Sequence, residues 1–298
     1  MRLADLTRLI LLAAIWGGSF IFMRVLAPVF GPILTADLRI LLAGIVLVTY
    51  FSITRFSLNW KTAWKQYLII GVLNSAIPFS LYSFSAQHIP ASYSVILNAS
   101  SPLFGAICSS IWLSEKLTAK KIIGLLFGTL GVITIAKIPP TEVTPMFGWA
   151  ILACLTAALC YALTGTYVKK FCSALRPKAI AGASQLLGGI VLLPLAVKNG
   201  SNIEFLMTPF LLMNVLGLAL LCSAIAYLLY YRLIADIGPT RALTVTFLMP
   251  AFGMIWGVLF LGEVVSISMI LGTGMIILGT VFVLGINPLK SYRKTNGV

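Results

Sequence analysis

Apolar residues occur in this chain in runs long enough to cross a lipid bilayer, and Gly, Pro and charged residues separate the runs. A spanning helix needs about 20 apolar residues. Hydropathy predicts such helices near 6–27, 33–53, 67–87, 91–113, 120–136, 147–168, 178–197, 209–234, 240–261 and 266–286. The pattern therefore predicts an all-α integral membrane protein of ten transmembrane helices, with no room for a soluble domain.

Composition supports this class. The chain is 60% hydrophobic and 9% charged, whereas a soluble domain is about 45–50% apolar and about 25% charged. The net charge of +14 raises nucleic acid as a partner, but basic residues beside apolar spans are typical of the cytoplasmic face of a membrane protein. We therefore expect the lipid bilayer as a partner and discount nucleic acid.

The distribution of Lys and Arg predicts the orientation. With the N-terminus in the cytoplasm, 17 of the 21 basic residues fall on the cytoplasmic side. Such an excess marks the inner loops of membrane proteins. Both termini are therefore expected in the cytoplasm, with residues 289–298 as a cytoplasmic tail.

The two halves of the chain resemble each other. Residues of helix two recur 145 positions later in helix seven, and residues of helices four and five recur 148 positions later in helices nine and ten. Because each unit holds five helices, an odd number, the second copy must enter the membrane from the opposite side. The sequence thus predicts two inverted five-helix repeats, 1–137 and 147–288, an architecture common in secondary transporters. The pairs that carry the second offset are Pro102 with Pro250, Phe104 with Phe252, Gly105 with Gly253, Leu113 with Leu261, Glu115 with Glu263, Gly124 with Gly272 and Gly131 with Gly279.

Several of these residues resemble a known family. The opening run Ala14-Ile15-Trp16-Gly17-Gly18-Ser19-Phe20, the twin Pro, Gly and span-ending Glu pattern and the Gly-rich helix that follows are similar to ten-helix EamA-type members of the drug/metabolite transporter superfamily. The resemblance implies two inverted five-helix bundles and alternating access in a bacterial inner membrane. It also implies a central cavity lined mainly by helices one, three, four, six, eight and nine, with helices five and ten at the periphery.

Some repeated residues are expected to be structural. Glu115 and Glu263 end helices four and nine, where a carboxylate can accept N–H bonds from the N-terminus of the following helix; a gate or coupling role is the alternative. Gly124 and Gly131 follow the small-residue spacing that lets helices approach closely. The remaining members of this structural set are Pro102 and Pro250.

Polar and aromatic side chains share helix faces elsewhere, and aromatic rings with a polar tip suit amphipathic ligands. Tyrosines near helix ends can instead belong to an interfacial belt, and the small polar face of helix four can be interhelical glue. Those alternatives remain open. The predicted substrate-binding residues are Trp16, Ser19, Asn74, Tyr82, Asn98, Tyr161, Thr164, Ser223 and Tyr227.

Asp37 and Arg39 are the charged residues well within a predicted span. Both fall within two turns of the outer end of helix two, so snorkelling to the interface is the favoured interpretation. The alternatives are an outer gate and, for Arg39, binding of a substrate carboxylate.

The inventory does not favour an enzyme, because the chain has one His and neither a phosphate loop nor a metal-ligand motif. No metal and no cofactor are expected. A channel would need a charged ring or filter loop. A secondary transporter of small neutral or zwitterionic metabolites such as amino acids, acting as an exporter, is the main prediction. Uptake of a nucleoside-like metabolite such as S-adenosylmethionine is the alternative. The oligomeric state is left open, with a monomer as the simplest form.

Overall fold

The computed structural model describes residues 2–137, 145–200, 202, 204, 208–237, 242 and 245–284. These residues form helices and no strand. Residues 285–288 of the second predicted repeat and the predicted tail 289–298 lie outside the described residues. The helices are α1 Leu3–Phe30, α2 Pro32–Ile53, α3 Trp60–His88, α4 Ala91–Trp112, α5 Ala119–Lys137, α6 Pro145–Phe171, α7 Pro177–Asn199, α8 209–237, α9 Val245–Leu261 and α10 Ile267–Leu284.

Within the described residues, eight helices are long and apolar enough to cross a membrane, and α9 is a shorter apolar helix of 17 residues. The predicted class, an all-α integral membrane protein, is confirmed. The count of ten spans and the inverted relation of the two halves stay predictions. Several helices extend beyond the predicted spans, as α3 does by beginning at Trp60 rather than near 67. Hydropathy detects only the apolar part of a helix, and the helix continues through the interfacial residues.

The outer surface of the bundle is apolar and its interior contains the polar groups. Ile111 is 77% exposed and Ile267 is 76% exposed, whereas Ser75 and Ser83 are fully buried. In a soluble protein the preference is the reverse. The distribution is that of a bundle with lipid as its solvent, in which polar side chains face other helices.

Glycines allow the closest helix contacts. A Cβ at Gly131 of α5 would lie 2.7 Å from the carbonyl oxygen of Gly272 in α10, and one at Gly124 would clash with the carbonyl oxygen of Gly279. In the same way, a Cβ at Gly189 of α7 would lie 2.8 Å from the Cα of Leu41 in α2. The structure therefore places Gly124 and Gly131 at a tight α5–α10 contact.

Helices α3 and α8 each contain a π-helical segment, Val72–Ala76 in α3 and Gly217–Ile225 in α8. The two segments start 145 residues apart, which is the offset at which the sequences of helices two and seven align. π-Helical turns are rare in proteins overall, but many of them lie at functional sites. The two segments in this protein contain Asn74 and Ser223, both predicted substrate-binding residues.

The paired prolines have different local effects. Helix α4 is divided into Ala91–Asn98 and Ser101–Trp112, and Pro102 lies in the first turn of the second part. A proline is tolerated there because the N–H it lacks would have no partner within the helix. Pro250 instead lies inside the continuous helix α9.

Candidate functional site

Aromatic and amide side chains from α3, α4 and α6 meet inside the bundle. The hydroxyl of Tyr82 donates to Asn98 Oδ1 at 2.8 Å. The rings of Tyr82 and Tyr161 stack with centroids 6.2 Å apart and an interplanar angle of 28°. Three of the predicted substrate-binding residues are thus in direct contact.

A second group joins α1, α3 and α8. The ring centroid of Trp16 lies 6.0 Å from that of Tyr227 in an edge-on arrangement, and 5.2 Å from that of Tyr230. Asn74 Nδ2 donates to the hydroxyl oxygen of Tyr227 at 3.4 Å. Trp16 and Asn74 thus both contact Tyr227, and a shared role in substrate binding stays a prediction.

Arg39 of α2 links the first group to α8, the helix that carries Tyr227 and Tyr230. Its Nε donates to Ser223 Oγ at 3.0 Å, and its Cζ lies 3.7 Å from the ring centroid of Phe79. The Phe79 ring centroid is in turn 6.5 Å from that of Tyr161. Through Arg39 the contacts run without a break from α4 to α8. We call the residues of both groups, with Arg39, Phe79 and Ser223, the central cluster: Trp16, Arg39, Asn74, Phe79, Tyr82, Asn98, Tyr161, Ser223, Tyr227 and Tyr230.

The prediction that the Asp37 and Arg39 side chains snorkel to the membrane interface is wrong. Arg39 is 4% exposed and Asp37 is 2% exposed. Helices α3 and α8 pack against this part of α2, so the guanidinium extends into the bundle and not towards the interface. Within the described residues neither side chain forms an ion pair, and Asp37 Oδ1 has no hydrogen-bond partner. A gate role for either residue stays a prediction.

Two predicted contact residues use their hydroxyls locally. Ser19 Oγ donates to the carbonyl oxygen of Trp16 at 2.7 Å, and Thr164 Oγ1 donates to that of Cys160 at 2.9 Å. Both side chains are buried. Such bonds to the preceding helical turn satisfy a hydroxyl in an apolar interior. In the described part of the chain, neither hydroxyl bonds to a side chain of the central cluster.

We expected each repeated glutamate to accept N–H bonds from the N-terminus of the helix that follows it. Within the described residues, neither carboxylate does so. Glu263 accepts hydrogen bonds from the backbone N–H groups of Ala91 and Ser92, at the N-terminus of α4. Glu115 pairs with Lys169 Nζ at 2.7 Å and Lys121 Nζ at 3.2 Å. These lysines, Lys169 first, hold the pKa of Glu115 below its ordinary value. Glu263 thus binds the N-terminus of α4 from the other half of the chain, and Glu115 bonds to lysine side chains of α5 and α6.

Sequence reasoning missed Phe79 and expected Arg39 to reach the interface, whereas its side chain is buried in the bundle. Phe79 precedes Tyr82 by three residues, the spacing that puts two side chains on one helix face, so this signal was available. The burial of Arg39 had no local signal, because it depends on which helices cover α2.

The described residues contain no group of three or more His, Cys, Asp or Glu side chains that could hold a metal ion. The cysteines Cys108, Cys154, Cys160, Cys172 and Cys222 are buried and free.

A membrane-embedded helical bundle with a polar and aromatic interior defines a class that includes many membrane transport proteins. Comparison with known families specifies it further. The profile of the EamA-like transporter family matches residues 6–137 and 148–285. The chain therefore belongs to the EamA-like transporter family.

Curated relatives match over most of their length. The chain is 24% identical to the uncharacterized transporter YvbV of Bacillus subtilis, covering 89% of this chain and 87% of that protein. It is 26% identical to an S-adenosylmethionine/S-adenosylhomocysteine transporter of Chlamydia trachomatis, covering 90% and 85%. A solved structure described only as the crystal structure of a protein matches with a TM-score of 0.65 and 15% identity, covering both chains fully. That last likeness concerns the fold alone.

Proposed function

We propose that this protein is a secondary transporter that exports small neutral or zwitterionic metabolites such as amino acids, by alternating access at the central cluster. The observation that carries the proposal is that α1, α2, α3, α4, α6 and α8 all contribute polar or aromatic side chains to the central cluster. Helices from both predicted repeats take part, and sites at the repeat interface are usual in transporters of this architecture.

The chemistry of the cluster suits an amphipathic molecule. The rings of Trp16, Phe79 and Tyr161 offer apolar faces, while Asn74 and Asn98 offer amide donors and acceptors. Tyr and Trp side chains combine contact area with a hydrogen-bonding group. Within the described residues, no Asp or Glu bonds to the cluster, which disfavours an organic cation as substrate.

Uptake of a nucleoside-like metabolite is the second candidate. It is supported by the relative named as an S-adenosylmethionine/S-adenosylhomocysteine transporter, at 26% identity. Aromatic rings such as those of Trp16 and Tyr161 can stack on a nucleobase as well as on an apolar side chain.

A thermal-shift screen of the purified protein tests both candidates. A ligand that binds only the folded state raises stability by about 2.7 kcal/mol at a concentration of 100 Kd. The screen should contain the twenty proteinogenic L-amino acids, four nucleosides and S-adenosylmethionine, and flux of each hit from everted and right-side-out vesicles gives the direction of transport.

Trp149→Ala is the matched control for Trp16→Ala, because Trp149 is 62% exposed and lies on the outside of α6. A hit should stabilise the wild type and Trp149→Ala alike and stabilise Trp16→Ala less. A hit that stabilises all three equally would contradict binding at the central cluster. Stabilisation by S-adenosylmethionine alone would select the second candidate.

A further inference from the structure

Arg39 is a buried cation that forms no ion pair within the part of the chain that the structure describes. Its side chain is among the buried charged groups, at 4% exposure, and within the described residues no carboxylate pairs with it. An arginine remains protonated in proteins. Transfer of an unpaired charge from water into an apolar interior is strongly unfavourable. A cation in this position is explained best by a ligand that supplies the missing negative charge.

The Arg39 guanidinium keeps hydrogen-bond donors that are not used by oxygen atoms of the described residues, and they lie on its Nη groups. Nε–H is bonded to Ser223 Oγ at 3.0 Å, and Nη1 contacts Met23 Sδ at 3.7 Å, a weak acceptor. Among the described residues, no oxygen accepts a hydrogen bond from either Nη group. The terminal side of the guanidinium therefore keeps the planar pair of donors that matches a carboxylate with two parallel hydrogen bonds.

The neighbours of Arg39 hold the guanidinium in one position. The ring of Phe79 lies under it, with Cζ 3.7 Å from the centroid, a cation–π contact that strengthens when water is excluded. Ser223 lies in the π-helical segment of α8, and its hydroxyl also bonds to the carbonyl oxygen of Leu218. Arg39 is thus fixed by α3 and α8, which places it inside the central cluster.

The repeat gives a second, independent argument. Residues that build the fold recur in both halves, as Gly44 does in Gly189 at the 145-residue offset. At the same offset Arg39 corresponds to Ser184. The repeated fold therefore does not require an arginine at this position. A bound ligand has no such repeat, so a contact with one end of the ligand explains why the arginine occurs in only one half.

We infer that Arg39 binds the carboxylate of the substrate, so that the substrate class is small zwitterions with a free carboxylate, such as α-amino acids, and not neutral molecules. This inference rests on the proposed function and makes it more specific. The central aromatic rings then contact the remainder of the substrate, while Ser223 and Phe79 position the guanidinium.

The test compares each candidate substrate that has a carboxylate with a closely related compound in which the carboxylate is replaced by an amide or removed. Purified protein in proteoliposomes is assayed with the twenty L-amino acids and their amides, and with S-adenosylmethionine and its decarboxylated form. The variants are Arg39→Met, Arg39→Lys and the control Arg24→Met, whose arginine on α1 donates to the carbonyl oxygen of Ala86, outside the cluster. Hydrogen bonds between charged groups are worth a factor of about ten to one hundred in affinity.

The wild type should prefer carboxylates over amides by about tenfold or more. Arg39→Met should reduce that preference to within about twofold, Arg39→Lys should retain part of it because it keeps the charge without the planar fork, and Arg24→Met should keep all of it. If Arg39→Met does not fold, the wild-type preference and the Arg39→Lys result decide. Equal transport of acids and amides by the wild type would overturn the inference and leave the proposed function intact. Absence of transport of every probe would overturn both.

Discussion

The carboxylate of Glu263 accepts hydrogen bonds from the backbone N–H and the hydroxyl of Ser92, at 3.0 and 2.5 Å. It also accepts the N–H of Ala91, so one side chain in the loop after α9 satisfies the N-terminus of α4. An anion at a helix N-terminus also interacts favourably with the helix dipole. Glu115, its partner in the sequence repeat, makes no such contact.

Replacement of the two glutamates should therefore have unequal effects. Glu263→Gln removes the charge from three hydrogen bonds in a half-buried site and should lower the free energy of unfolding by about 1.5–3 kcal/mol. Glu115→Gln breaks ion pairs with Lys169, which is 65% exposed, and Lys121, and exposed pairs contribute at most about 1 kcal/mol. Apparent melting temperatures in detergent measure both. Equal losses would show that the contact with α4 is not the stabilising one.

The pH dependence of the Glu115 contribution has a definite sign. Its folded pKa is lowered from the ordinary value of 4.5, so the contribution is fully present above that pH and is lost as the pH falls through the folded value. Any difference in stability between the wild type and Glu115→Gln should therefore narrow below pH 4.5.

The contact between Trp16 and Tyr227 predicts coupled losses of affinity. Trp16→Ala and Tyr227→Ala should each weaken substrate binding by about 1–3 kcal/mol through lost ring contact and hydrogen bonding. Because the rings are in contact, the double variant should lose less than the sum of the two single losses. Isothermal titration with a ligand identified by the thermal-shift screen measures this, and wild-type affinity in both single variants would place the site on another face of the bundle.

How far the sequence predicts this molecule depends on whether a feature is local. Helix positions and the all-α class follow from apolar runs, and the contact of Tyr82 with Asn98 was within reach because each lies on a recognisable polar face. The partner of Glu263 was not, since Ser92 is 171 residues away. The π-helical segments were also unpredicted, because the sequence of an apolar helix contains no strong signal for a shift from i−4 to i−5 bonding.

The depth of Arg39 shows the same limit. It lies seven residues after Pro32, about 10 Å along α2 at 1.5 Å per residue. From this distance alone, the side chain is expected to reach the membrane interface. Burial depends instead on α3 and α8 covering that face. Sequence position along one helix gives depth but not the identity of the neighbouring helices.

The predicted topology can be tested by reporter fusions. The placement of 17 of the 21 basic residues on the inner side predicts that reporters fused after Lys170 and after Val298 both lie in the cytoplasm. Alkaline phosphatase should be inactive, and green fluorescent protein fluorescent, at both sites. A reporter read as external at either position would contradict the ten-span inverted architecture.

Transport is predicted not to require protonation of a buried carboxylate. A coupling group must be reached in turn from both sides, near the midplane of an inverted repeat, and Asp37 lies only five residues after Pro32, about 7.5 Å along the helix. Flux in proteoliposomes should be unaffected by a pH gradient and should persist in Asp37→Asn. If a gradient drives accumulation that Asp37→Asn abolishes while binding survives, Asp37 is the proton site.

Counterflow in proteoliposomes tests the central claim, that a substrate crosses the membrane at the central cluster. Vesicles loaded with an unlabelled amino acid identified by the screen are diluted into the same amino acid in labelled form. We predict a transient, saturable accumulation of label by the wild type and by Trp149→Ala, strongly reduced in Tyr227→Ala. Label entry that does not saturate, does not depend on the internal amino acid and is equal in all three proteins would contradict the account.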